Sequence, residues 1–97
     1  MTADLPAGLV LARTTDEFDE NSVPAGLLRD HRVAAGVWGR LLVRSGALRF
    51  GFGDDAEFGV TEGGSVVIPP EQVHHVALVG PVRFVVEFHR PADTVAT

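Results

Sequence analysis

Apolar residues in this chain come in short runs, broken by Gly, Pro or acidic residues roughly every 8–12 positions. No window of about 11 residues sustains the i, i+3, i+4 apolar spacing of a helix buried along one face. Strands are therefore the building unit this pattern allows. Alternation agrees. Val82, Phe84, Val86 and Phe88 fall on one side of an extended segment, and Arg83, Val85, Glu87 and His89 on the other. Leu48, Phe50 and Phe52 likewise share a side. The expected class is all-β.

The spacing predicts strands at Leu9–Thr14, Leu27–Arg32, Gly36–Arg44, Ala47–Phe52, Phe58–Thr61, Ser65–Ile68, Val73–Val79 and Val82–His89. Ser45-Gly46 reads as a two-residue hairpin turn. Gly80-Pro81 reads as the break between the last two strands. Thr15–Pro24 is polar and acidic, a loop with a helical turn at Thr15-Asp16-Glu17, and Pro91–Thr97 is a frayed tail. The 97 residues fit one domain with its core in about residues 5–90. About eight short strands favour a sandwich or barrel, and a double-sheet jelly roll is one way they bury an apolar face.

Charge and composition exclude several functions. Net charge is −5, and all 8 basic residues are Arg, which argues against binding nucleic acid through phosphate neutralisation. The absence of Cys removes disulfides, thiolate catalysis and Cys zinc sites. There is no basic segment leading into an apolar one at the N-terminus, and no apolar run approaches ~20 residues. A soluble, cytoplasmic protein without a membrane partner is expected. No Gly-x-Ser-x-Gly elbow or phosphate-binding Gly loop is present, since Gly51-Phe52-Gly53 falls in a turn.

The stretch from Gly63 to Val76 carries the chemistry. A short apolar run, Ser65–Ile68, is stopped by Pro69-Pro70. Glu71 follows, and His74 comes three residues later. A carboxylate and an imidazole are both good ligands for a first-row metal ion. Adjacent His74 and His75 point to opposite faces of a strand.

Several segments together resemble a known family. They are Arg13-Thr14-Thr15, the stretch from Pro24 to His31, Ala35–Leu41, Ser45–Leu48, the run from Ile68 to Val76, and Phe84–Phe88. In order and spacing they resemble the small cupin-like TehB-type and YeaR-like proteins associated with tellurite resistance. The resemblance implies a single cupin-type β-barrel (double-stranded β-helix), metal binding, and a role in a stress or tellurite and oxyanion response. Gly63, Pro69 and His74 match the spacing of the second cupin motif, and Glu71 stands where cupins usually have Gly. The first motif departs from the pattern. Gly39 occupies its Glu position, Val33 stands in place of a partner His, and His31 is the single upstream imidazole.

Mostly on that resemblance, the expected ligand set is His31, Glu71 and His74, with the cupin register turning His74 inward. Such a set holds Zn, Fe, Ni, Mn or Cu with open positions. Glu87 is a candidate fourth ligand, or a carboxylate that orients a ligating His. Trp38 and Phe50 are candidate pocket aromatics, and Arg40 and Arg49 candidate anion binders. Each has an ordinary alternative as core or solvated surface. The acidic run Asp16, Glu17, Asp19 and Glu20 reads as a solvated loop. The expected function is a metal-binding protein for a small-molecule ligand, with no defined reaction. The alternatives are an Fe(II)-type oxygenase or other small-molecule enzyme, and a metal-free binding module that forms a homodimer through exposed strand edges.

Overall fold

A computed structural model describes residues 5–92. Its strands are β1 (Leu9–Thr14), β2 (Phe18–Asp19), β3 (Trp38–Phe52), β4 (Phe58–Thr61), β5 (Ser65–Ile68) and β6 (His74–Pro91). One 3-10 turn, Ala25–Leu28, lies between β2 and β3. The long strands β3 and β6 pair antiparallel from Trp38↔His89 to Phe52↔His74 and form the spine. The far edge of β3 takes β5 along Gly39–Leu42 and β4 along Ala47–Phe50. The far edge of β6 takes β1 and β2. The result is one six-stranded sheet in the order β1-β6-β3-β4, with β2 on β6 and β5 on β3. Among the described residues its two ends do not pair, so the all-β expectation holds while the sheet is open and not closed into a barrel. No helix among the described residues is long and apolar enough to cross a membrane.

Two expected turns are not chain reversals. Ser45-Gly46 and Gly80-Pro81 are opposed irregularities inside β3 and β6. Val43 pairs with Phe84 and Ser45 with Arg83, so Arg44 is an extra residue in β3. That insertion exchanges the faces of β3. Leu41 and Val43 are buried before it, Leu48 and Phe50 after it. Gly46 then pairs with Val82 and Leu48 with Leu78, which leaves Val79, Gly80 and Pro81 opposite Ala47 alone. The surplus of two preserves the alternation of β6, so Val76, Val82, Phe84 and Val86 all face inward. Pro81 has no N–H to lose at a point where the ladder is already interrupted.

The doubled irregularity folds the sheet on itself. Leu41, Val66, Ile68 and Val86 from one half join Leu48, Phe50, Val60 and Val76 from the other in one core cluster. The segment before β3 covers the open side and adds Val33 to that core. The strand expected at Leu27–Arg32 is absent. The 3-10 turn occupies its start, and His31 makes one isolated bridge to His74.

The acidic loop is not a helical turn and is partly structural. Asp19 Oδ1 accepts the N–H groups of Asn21 and Ser22 at 2.8 and 2.9 Å, which holds its carboxyl below the usual range. Glu20 Oε1 accepts the Val82 N–H at 3.1 Å beside the irregularity of β6. At the other end, β6 continues to Pro91, and the Ala92 N–H donates to the Gly8 carbonyl. The rest of the expected tail lies outside the described residues.

Candidate functional site

His74 opens β6 and faces inward, in step with Val76. It is 3% exposed, and among the described residues no other polar or charged residue is buried. His31 reaches it through paired backbone bonds: His31 N–H to His74 carbonyl at 2.8 Å, and His74 N–H to His31 carbonyl at 2.9 Å. The two rings meet edge to face with centroids 5.3 Å apart. Phe50 stacks flat beneath His74 at 5.6 Å and 8°.

The His74 tautomer follows from its neighbour. Nδ1 lies 3.0 Å from the Gln72 carbonyl, which can only accept, so Nδ1 carries the proton. Burial lowers the His74 pKa from its ordinary 6.5, the Gln72 bond opposes that, and the nearby imidazoles His31 and His75 reinforce it. The ring is therefore neutral at neutral pH, with a bare lone pair on Nε2.

Both histidines line a cavity of about 420 Å³. Its walls are mostly apolar, from Phe18, Leu27, Val33, Ile68, Val86 and Phe88, and Arg13, Thr15 and Asp16 join the lining. Arg13 is brought there by an irregularity in β1. Leu11 pairs with His89, so simple alternation would set residue 13 on that same outer face. Ala12 is skipped in the pairing, and Arg13 instead lies opposite Phe88 with its guanidinium 4.9 Å from the ring centroid. Thr15 is fixed twice to Val86. Its N–H donates to the Val86 carbonyl at 2.9 Å, and its Oγ1 accepts the Val86 N–H at 3.0 Å.

The structure brings His31 and His74 together but not the rest of the expected ligand set. Glu71 is exposed in the turn after Pro69-Pro70, with φ 62° and its N–H bonded to the Val33 carbonyl, and it does not line the cavity. Glu87 sits on the outer face, where its Oε1 is 3.0 Å from His89 Nε2. Among the described residues, no group of three or more His, Cys, Asp or Glu is placed to hold a metal ion.

The other candidates also lie elsewhere. Phe50 is core under His74, and Trp38 is half-buried opposite His89. Arg40 lies between Glu87 and Val67 on neighbouring strands, its Nε buried without a hydrogen-bond partner. Arg49 binds Glu57, through Nε at 3.3 Å and through Nη2 to the backbone carbonyl at 2.8 Å. Glu57 also takes His75 Nε2 at 2.7 Å. His75 therefore points away from the cavity, as strand alternation requires.

Sequence reasoning missed the roles of Arg13, Thr15 and Asp16. The one signal was the Arg13-Thr14-Thr15 segment of the resemblance. Alternation alone places Arg13 outside.

A family model described as the TehB-like domain matches residues 13–86. The fold is similar to the crystal structure of an Escherichia coli K12 protein, with TM-score 0.83 and 23% identity over 95% of this chain and 100% of that one. It is similar to TehB from Haemophilus influenzae, with TM-score 0.79 and 23% identity over 88% of this chain and 32% of that one. The chain thus spans about a third of that TehB. A protein from Neisseria meningitidis gives TM-score 0.57 and 17% identity over 88% and 78% of the two chains. At these identities the likenesses establish the fold. No curated protein matches the sequence.

Proposed function

The chain belongs to the TehB-like family, and from that premise we propose that it is a small-molecule binding domain serving a stress response of the tellurite or oxyanion type. One observation carries the reading: a buried, neutral imidazole with a free lone pair stands in a mostly apolar cavity of about 420 Å³. Cavities of that size and make-up, with few polar groups, are the usual form of ligand sites. We read the folded sheet as an opened form of the cupin barrel. The core shared by its two halves and the Gly63, Pro69, His74 spacing support this.

A second reading keeps the divalent ion. The Nδ1–H of His74 is held by a carbonyl and Nε2 is left bare, an arrangement common to ligating imidazoles. The donor set here is two imidazoles, His31 and His74, one carboxylate short of a two-His, one-carboxylate site. Zn, Fe, Ni, Mn or Cu would suit these nitrogens and would need ligand or water oxygens to complete the set.

A ligand-observed NMR fragment screen tests the first reading, run on the wild type and on Leu27→Trp, which fills the cavity. Hits lost in the variant are expected. A hit list unchanged by filling the cavity would refute it. Elemental analysis of protein purified without tag or chelator, beside His74→Ala, tests the second. Equal metal content in the two proteins would reject His74 as its ligand.

A further inference from the structure

We infer that the cavity takes an organic anion, a carboxylate-type head on an apolar body, and not a bare inorganic oxyanion; the inference rests on the cavity being the ligand site. Volume is the first ground. At about 420 Å³ the cavity falls within the roughly 300–1,000 Å³ range of small-molecule sites. An oxyanion of three or four oxygens fills a small part of that. The remainder would stay wet against Phe18, Leu27, Val33, Ile68, Val86 and Phe88. An apolar body of about ten heavy atoms covers those walls instead.

Charge is the second ground. Arg13 is the cation of the lining, and among the described residues its guanidinium makes no hydrogen bond or ion pair. The side chain is exposed at the cavity, with its guanidinium carbon 4.9 Å from the Phe88 ring centroid, and its unpaired N–H groups suit a carboxylate. Asp16 also lines the cavity, but no ion pair joins it to Arg13. The Thr15 hydroxyl is already engaged, accepting from Val86 and donating to the Asp16 carbonyl. His74 Nε2, a bare acceptor, selects a hydroxyl or amide hydrogen elsewhere on the ligand.

Three probes matched in body and differing in head separate the cases: 3-phenylpropanoate, 3-phenylpropan-1-ol and 3-phenylpropan-1-amine, with potassium tellurite as a fourth. Each is titrated into the wild type, Arg13→Gln and Arg49→Gln, and read by two-dimensional NMR, which also reports that each variant is folded. The carboxylate is expected to bind about tenfold more tightly than the alcohol or amine, with shifts at His74 and Val86. Arg13→Gln should bring it to the level of the alcohol, and Arg49→Gln should not. Equal binding of alcohol and carboxylate overturns the organic anion and leaves the cavity reading standing. A preference for the amine does the same, with the head then held by Asp16 or by His74 Nε2. Tellurite shifting the cavity residues while the three organic probes do not would also overturn it. Silence from all four at cavity residues overturns both readings.

Discussion

Gly46 in β3 lies so close to Pro81 in β6 that a side chain cannot stand between them. A Cβ at position 46 would fall inside contact distance of the Pro81 carbonyl oxygen and 2.9 Å from both the Pro81 carbonyl carbon and the Val82 Cα. Gly46 also has φ 74°, a left-handed conformation. Two backbones therefore touch where both long strands change course, and the contact sets how the sheet folds over its core. Gly46→Ala is expected to cost at least ~2 kcal/mol, since backbone atoms must move as well as a torsion. Gly53→Ala is the control. Gly53 has φ 51° but nothing within 4 Å of the added carbon, so its loss should be about 1 kcal/mol. Urea denaturation of the two variants checks the difference, and equal losses would show that the Gly46–Pro81 contact is not a fixed point of the fold.

The same two places show how far the sequence could be read. β1, β4 and β5 stand where short apolar runs between turn residues put them. Turn chemistry at Gly46 and Gly80-Pro81 predicts a break where β3 and β6 each run on. A glycine at positive φ, or a proline without an N–H, serves a bulge as well as a reversal. Which one forms depends on the strand opposite, and that information is not local. The site was legible to a similar degree. Strand alternation separated His74 from His75 correctly, and the cupin spacing chose which faces in. The same alternation puts Arg13 on the outer face, and the skipped residue Ala12 reverses it. Proximity in sequence pairs Glu71 with His74, yet the turn between them carries its side chain to solvent.

Glu71 occupies a position that suits glycine. The Gln72 N–H reaches back to the Pro69 carbonyl at 3.4 Å, and Glu71 at φ 62° is the third residue of that turn. Turns with Pro second and a left-handed third residue prefer Gly there. The strain of a side chain in this conformation is roughly 1–2 kcal/mol, and the extra freedom of Gly in the unfolded chain offsets about 0.5–1 of it. Glu71→Gly should therefore leave stability unchanged or raise it by up to ~1.5 kcal/mol. The check is thermal unfolding, with and without added Zn²⁺. A lower melting temperature confined to the Zn²⁺ sample would restore Glu71 as a ligand.

On the outer face, Glu57 binds both His75 and Arg49, and the His75 hydrogen bond is the largest cause of its lowered pKa. A carboxyl held below its ordinary 4.5 contributes stability above that pH and loses it as the pH falls through the folded value. Gly51 makes room for the arrangement. A Cβ there would lie 2.5 Å from His75 Cε1 and 3.2 Å from Glu57 Cγ. Gly51→Ala should push the ring off Glu57 and flatten the acid limb of the stability curve below pH 4.5. Cavity shifts with 3-phenylpropanoate should be unchanged, because His75 faces away. An acid limb as steep as that of the wild type would show that the Glu57–His75 bond does not supply it.

His74 gives the pH dependence at higher pH. Burial lowers its pKa from 6.5, so in a falling titration the unfolded chain takes up its proton first. The unfolded state then binds more protons, and stability rises with pH through that window. The contribution is fully present above about pH 6.5 and is lost as the pH falls toward the folded value. His74→Phe keeps a ring beside Phe50 but removes the titration. It also leaves the Gln72 carbonyl without its Nδ1–H partner, a loss of about 1–2 kcal/mol at pH 7.5. Denaturant curves at pH 7.5, 6.5 and 5.5 should therefore converge, with the wild type losing stability faster than the variant as acid is added. A wild type that instead gained stability over the variant as acid is added would mean that His74 carries its proton in the folded protein. In that case Nε2 would be a donor, and the polar end of any ligand would have to present an acceptor to it.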